Sequence, residues 1–140
     1  MRVELTIEIA RPPAEVFDDL TNLSKLPDWQ ASAIESRADG PLAQGTRIVE
    51  RRSFMGRGIE TEVEVAAYDP PRRLALRTVR GPVALSIDHV LEGSETGTKL
   101  RVTADGRPTG ALRLAGPAIE SHARRELRRD FKRFKELLEE

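Results

Sequence analysis

Residues 45–104 show the pattern expected of successive antiparallel hairpins. Short glycine-containing turns separate the strands, and each turn returns the same set of apolar side chains to one face of the sheet. A long amphipathic helix follows, from Pro117 to about Leu138, and its apolar stripe needs a surface to lie on. A sheet with one buried face and one helix to cover that face predict an α+β fold in which the sheet wraps around the helix.

The segments before these hairpins add two strands and two short helices. Residues 3–9 alternate apolar and polar side chains, as a half-buried strand does. Pro12 and Pro13 end that strand and suit the first turn of a helix, which we predict over residues 14–20. Asn22 or Ser24 can cap a second short helix that ends near Trp29. With a weaker strand over residues 31–38, we expect a sheet of about seven strands.

Turn positions predict the registers of three hairpins. A two-residue loop at 57–58 sets Ile48 opposite Ala67, a loop at 81–82 sets Leu74 opposite His89, and a loop at 93–97 sets His89 opposite Val102. The three registers agree on which face is apolar, and this consistency supports the fold. The polar side chains that then point inward are Glu50, Arg52, Thr61, Thr78, Arg80 and His89.

Composition limits the class of protein. A chain of 140 residues and 15.6 kDa suits a single domain over residues 1–140. Lys+Arg and Asp+Glu are both 23, so no global field recruits nucleic acid, and the absence of cysteine excludes disulfides and thiolate chemistry. Neither a signal peptide nor a run of about 20 apolar residues is present, which predicts a cytoplasmic protein. The sequence leaves a homodimer open.

Several motifs resemble the START-like helix-grip superfamily, also called SRPBCC. The most recognisable are PAEVF at 13–17, LPDW at 26–29 and YDPPRRL at 68–74, and the similarity extends over nearly the whole chain. They are similar to the polyketide cyclase/dehydrase and lipid-transport branch. The resemblance implies a curved antiparallel sheet of about seven strands around a long C-terminal helix, with a ligand cavity between them. Two histidines and no cysteine cannot supply the zinc, iron–sulfur or Rieske sites of some relatives, so we expect no metal or cofactor.

Glu50, Arg52 and His89 are the candidate functional residues. Glu50 and Arg52 lie two residues apart on one strand face, about 7 Å between Cα atoms, so they can pair and orient a ligand carbonyl or carboxylate. Alternatively, Arg52 reaches solvent at the strand end and carries Glu50 with it. His89 could serve as a general acid or base, but a hydrogen-bonded core histidine is the commoner outcome. Trp29 is expected to pack the short helix, the alternative being that it closes one end of the cavity.

The leading functional hypothesis is a soluble protein that binds a hydrophobic or amphipathic small molecule. One alternative is a polyketide cyclase or dehydratase, in which Arg52 stabilises an enolate and His89 or Glu50 moves the proton. A second is a macromolecular interaction module that uses the basic face of the last helix, where Glu126 and Asp130 are expected among the arginines. The predicted ligand-binding residues are Ile48, Glu50, Arg52, Phe54, Val63, Val65, Leu76, Thr78, Leu85, Ile87, His89, Ala123 and Leu127.

Overall fold

One antiparallel sheet of seven strands forms the frame of the protein in a computed structural model, which describes residues 1–140 apart from the side chain of Ala111. The order across the sheet is β1-β7-β6-β5-β4-β3-β2, so consecutive strands pair from β2 to β7 and β1 closes against β7. This is the predicted helix-grip arrangement. The strands are β1 (Arg2–Ile9), β2 (Ala33–Ala38), β3 (Arg47–Phe54), β4 (Arg57–Asp69), β5 (Arg73–Arg80), β6 (Val83–Ser94) and β7 (Gly97–Pro108).

The helices lie where proline and asparagine predicted them. Helix α1 (Pro13–Leu20) has proline in its first turn, and a 3₁₀ turn (Leu23–Lys25) follows, capped by Asn22 Oδ1 at 3.2 Å from the Ser24 N–H. Helix α2 (Leu26–Trp29) completes the pair of short helices. A second 3₁₀ turn (Gly110–Ala115) precedes α3 (Gly116–Glu139). No helix of the described residues is both long and apolar enough to cross a membrane.

The registers of β5 with β6 and of β6 with β7 are as predicted, but that of β3 with β4 is not. Leu74 lies opposite His89, and His89 opposite Val102. Ile48, however, lies opposite Val63, because the turn is at Met55-Gly56, where both residues have positive φ. Glycines at 56 and 58 allow two registers that differ by an even number of residues, and both keep the same side chains inward. The inward pattern could not choose between them.

Two irregularities in the pairing of β4 with β5 correct the predicted inward set. Between Val65 and Ala67 the register shifts, so Tyr68 instead of Ala67 comes opposite the inward residue Leu74. A second shift, between Glu62 and Val63, sends Arg80 outward. The Arg80 guanidinium lies 3.0 Å from a carboxylate oxygen of Glu60, on an exposed pair. The prediction that Arg80 faces inward is therefore wrong.

The core occupies only part of the space between sheet and helix. The C-terminal half of α3 packs Phe131 and Phe134 against Trp29, with ring centroids 5.0 and 4.7 Å from the indole. Residues of α1, α2, β1 and β3 to β7 complete this cluster. The N-terminal half of α3, around Ala123 and Leu127, borders an unfilled space instead. A ligand site can therefore form only beside the N-terminal half of α3, because the C-terminal half is closely packed against the core.

Candidate functional site

A cavity of about 290 Å³ lies between the inner face of the sheet and the N-terminal half of α3. Its walls are mostly apolar, and charged side chains gather at the end near α2 and β3. All the predicted ligand-binding residues except Ile48 and Val65 border it. Those two are buried in the core beside a smaller void of about 50 Å³. The main cavity is bordered by Met1, Val3, Trp29, Gln30, Ser32, Glu50, Arg52, Ser53, Phe54, Ile59, Thr61, Val63, Leu76, Arg77, Thr78, Pro82, Val83, Leu85, Ile87, His89, Ala104, Ile119, His122, Ala123, Glu126, Leu127, Asp130 and Phe131.

The Glu50–Arg52 pair is directed into the cavity and held by neighbouring polar side chains. Arg52 Nη2 lies 2.8 Å from Glu50 Oε2 and donates a second hydrogen bond of 2.7 Å to Gln30 Oε1. Its Nη1 donates to Ser32 Oγ at 3.0 Å, and Ser36 Oγ donates to Glu50 Oε2 at 3.2 Å. The Glu50 side chain is only 8% exposed and that of Arg52 25% exposed. The pair is thus an inward, hydrogen-bonded cluster, and Arg52 does not carry Glu50 out to solvent.

His89 is a neutral imidazole at the cavity wall. The residue is 4% exposed, and its Nδ1 lies 2.9 Å from the Leu74 carbonyl oxygen. A carbonyl only accepts, so Nδ1 carries the hydrogen and Nε2 carries the lone pair. Burial lowers the pKa of His89, while the bond to Leu74 and the charge of Asp88 oppose that shift. His89 is therefore hydrogen-bonded in the core and also borders the cavity.

Helix α3 brings two carboxyl groups to the cavity that were expected on its solvated face. Asp130 is 7% exposed, and its Oδ1 accepts the Ala31 N–H at 3.2 Å. Burial raises the pKa of Asp130 above its usual range, and the charge of Glu126 raises it further. The Ala31 bond, Arg129 and Arg52 act in the opposite direction. The expectation that Glu126 and Asp130 belong to the solvated face is wrong.

A signal for these two residues was present in the sequence. Each directly precedes a residue of the apolar stripe, Glu126 before Leu127 and Asp130 before Phe131. The two carboxyl groups are also four residues apart, so both lie along the same edge of that stripe. Charge alone suggested the opposite face. Gln30 and Ser32 had no such signal, because the chain leaves α2 there and only the tertiary structure brings them to Arg52.

Of the remaining aromatic and histidine side chains predicted to be of interest, Trp29 and His122 border the cavity and Tyr68 does not. Trp29 packs against α3, a contact that was not predicted, and also borders the charged end of the cavity. Its Nε1 is buried without a hydrogen-bond partner. Tyr68 packs edge-on against Phe17, with ring centroids 5.6 Å apart, and is not among the residues that border the cavity. The His122 side chain is 60% exposed at the cavity border, and its Nε2 lies 3.1 Å from Glu126 Oε2.

Some of the basic residues of α3 take part in intrahelical ion pairs. Arg124 lies 3.3 Å from Glu120, and Lys135 lies 3.6 Å from Glu139. Such pairs are typical of a solvated helix face. The expectation that nucleic acid is not a partner of this chain remains a prediction. Within the part of the chain that the structure describes, no group of three or more His, Asp or Glu side chains is arranged to hold a metal ion.

Comparison with known proteins identifies the family. The family described as polyketide cyclase/dehydrase and lipid transport matches residues 1–139. The chain belongs to this family. An uncharacterized protein of Mycobacterium tuberculosis is 26% identical over an alignment of 145 positions, which covers 96% of each chain.

Solved structures share the family fold. The Zhui aromatase/cyclase from a Streptomyces species superposes with a TM-score of 0.86 at 17% identity, covering 99% of this chain and 93% of that one. A Thermus thermophilus protein gives a TM-score of 0.82 at 16% identity, covering 99% of this chain and 97% of that one. At these identities, the similarity establishes the helix-grip fold and leaves the ligand to be argued from the site.

Proposed function

We propose that this protein binds one small amphipathic molecule in the cavity between the sheet and α3. The observation that carries the proposal is a void of about 290 Å³ whose apolar walls end in the buried Glu50–Arg52 cluster. Ligand sites combine mostly apolar walls with a few convergent polar groups in this way. The volume is close to the lower limit of about 300 Å³ for such sites, which favours a compact ligand over a large lipid.

The proposed ligand lies with its apolar part along β4, β5 and β6 and its polar part at the charged end. Leu76, Leu85 and Ile87 supply apolar surface from the sheet, and Ala123 and Leu127 supply it from α3. Burial of each methylene in such surroundings contributes about 0.8 kcal/mol to binding. Affinity then comes mainly from the apolar walls, and orientation from the charged cluster.

Native mass spectrometry tests this proposal directly. We expect gently purified protein to carry a discrete extra mass that solvent extraction removes. Trp29 is the only tryptophan and borders the cavity, so its fluorescence reports refilling of the extracted protein. A saturable change with one molecule per chain is expected for compact amphiphiles, whereas a featureless response to all of them would contradict the proposal.

A matched pair of variants locates the binding. Ala123→Phe adds a ring on the cavity side of α3, and Ser121→Phe adds the same ring at an exposed position of that helix. We expect Ala123→Phe to weaken binding at least about tenfold and Ser121→Phe to leave it unchanged. Equal effects of the two variants would place the binding outside the cavity.

An enzyme of the cyclase or dehydratase type is the second candidate, and the neutral His89 favours it. The Nε2 lone pair could take a proton from the carbon beside a substrate carbonyl, and Arg52 could stabilise the resulting enolate. The likeness to an aromatase/cyclase supports a poly-β-carbonyl substrate as the first to try. We expect a His89→Ala, Glu50→Ala double variant to lose turnover of such a substrate. Unchanged turnover would remove these residues from the mechanism.

A further inference from the structure

At the charged end of the cavity, two largely buried residues each have one carboxylate oxygen without a hydrogen-bond partner. Glu50 and Asp130 are each 7% exposed and both border the cavity. Arg52 and Ser36 bond only Oε2 of Glu50, and Ala31 bonds only Oδ1 of Asp130. Among the described residues, Glu50 Oε1 and Asp130 Oδ2 accept no hydrogen bond. Two strong acceptors are thus left for a molecule in the cavity.

These two oxygens are not fully enclosed. The one fully enclosed side-chain nitrogen or oxygen without a partner, in the part of the chain described, is Trp29 Nε1. Glu50 Oε1 and Asp130 Oδ2 therefore retain accessible surface. A carboxylate that has lost bulk water needs a donor or a cation to compensate for its lost hydration. The residues of the cavity wall donate no hydrogen bond to these two oxygens, so a bound molecule would have to supply the donor or the cation.

The count of charges at this end favours a cation. Three carboxyl groups, Glu50, Glu126 and Asp130, border the cavity here, against one guanidinium, Arg52. The exposed Arg129 lies outside the cavity, 3.8 Å from Asp130 Oδ1, and offsets part of that charge. Arg52 already donates to Glu50 and to two neutral side chains. His122, mostly exposed, lies beside Glu126 and can offset part of its charge.

Two other basic groups border the cavity but are engaged elsewhere. The Arg77 guanidinium is bound to Glu64, 2.8 Å away, on the outer face of the sheet. The ammonium group of Met1 donates to the Gly106 carbonyl oxygen at 2.8 Å. It lies toward the β1–β7 edge of the sheet, whereas β3 lies near the opposite edge, next to β2. Neither group offsets the carboxylates at the charged end.

Aromatic rings next to the carboxylates favour the same occupant. Trp29 and Phe131 both border the cavity, with ring centroids 5.0 Å apart. The faces of such rings attract ammonium groups, by about 0.5–2 kcal/mol depending on how far water is excluded. Phe131 directly follows Asp130 in α3, which brings the aromatic and acidic surfaces together.

We infer that the cavity selects amphiphiles with a cationic, hydrogen-bond-donating polar end, an ammonium group above all, and discriminates against carboxylates. The inference deepens the proposed binding function and rests on it. An ammonium group offers three donors, which suit Glu50 Oε1 and Asp130 Oδ2. A carboxylate would instead meet acidic groups and a guanidinium that is already engaged.

Three probes that differ only in their polar end test the inference: decylamine, decan-1-ol and decanoate, each added to extracted protein at pH 7. Binding is followed by Trp29 fluorescence and by calorimetry. The net charge of the protein is zero, so a preference between probes reports the local site. We expect decylamine to bind at least about tenfold more tightly than decanoate, with decan-1-ol between them.

Variants of α3 assign that preference to the carboxyl groups. Glu126→Gln and Asp130→Asn, alone and together, should reduce the ratio of decylamine to decanoate affinity, with decan-1-ol little affected. Glu136→Gln, an exposed carboxyl on the same helix, should leave the ratio unchanged. Because Glu126 is the less buried of the pair, its single variant tests the assignment with the least change to the core.

The outcomes separate the two levels of the argument. Decanoate affinity equal to or above that of decylamine would overturn the cation preference and leave amphiphile binding intact. A preference for decylamine that survives the double variant would overturn the assignment to Glu126 and Asp130. Failure of all three probes to bind would overturn both the inference and the proposed function.

Discussion

Replacing Arg52 with methionine would test whether the charged cluster is held together as the structure indicates. Arg52 donates hydrogen bonds to Glu50, Gln30 and Ser32. Methionine retains an unbranched apolar side chain and removes all three bonds. The Glu50 carboxylate then stays buried, with Ser36 as its remaining side-chain donor.

The magnitude follows from the burial of the pair. Removing one partner of a fully buried ion pair costs about 3–5 kcal/mol, because the other charge is left uncompensated. The Arg52 side chain is 25% exposed, so water can replace part of what is lost. We expect the free energy of unfolding to fall by about 2–4 kcal/mol. In the double variant Glu50→Gln, Arg52→Met neither charge of the pair remains, and the loss should be about 1 kcal/mol.

Urea unfolding at pH 7, followed by circular dichroism, measures these changes. Arg77→Met is the matched control, because the Arg77 guanidinium bonds Glu64 in a more exposed pair on the outer face. Exposed pairs contribute about 0–1 kcal/mol, so the control should lose no more than that. An Arg52→Met loss no larger than the control, or a double variant as unstable as the single one, would refute the reasoning.

Three further predictions concern single residues. Burial lowers the pKa of His89 below its usual value of 6.5, so the unfolded chain binds the proton more readily than the folded one. Stability should therefore fall as pH drops below about 6.5, by at most about 1.4 kcal/mol per pH unit, and urea titrations of a His89→Gln variant should lack this part of the slope. Burial raises the pKa of Asp130 above 3.8, so stability falls as pH rises through the interval between the unfolded and folded pKa values. Asp130→Asn should therefore raise the unfolding free energy at pH 7, with the gain vanishing near pH 3.8, whereas a loss at pH 7 would contradict this account. Met55 is 72% exposed with φ of 52° in the β3–β4 turn; Met55→Asn should raise stability by about 0.5–1 kcal/mol, measured as a higher midpoint of thermal unfolding, and an unchanged midpoint would argue against strain at this residue.

The sheet could be predicted from the sequence to the level of which side chains face inward. Alternation of period two, together with the turns at 81–82 and 93–97, was sufficient for the registers around His89. It was insufficient for β3 and β4, because Gly56 and Gly58 permit two turns with the same inward set. The alternation of apolar and polar residues also could not predict the register shifts between β4 and β5, one of which turns Arg80 outward.

The candidate site divides along a similar line. Strand periodicity is a local property of the chain, and it was enough to place Glu50, Arg52 and His89 on the apolar face of one sheet. The contacts of Gln30 and Ser32 with Arg52, and the position of Asp130 at the cavity instead of in solvent, could be found only in the folded molecule. Those contacts depend on the rotation of α3 and on the path of the chain after α2. Both result from packing between segments far apart in the sequence, which no local pattern encodes.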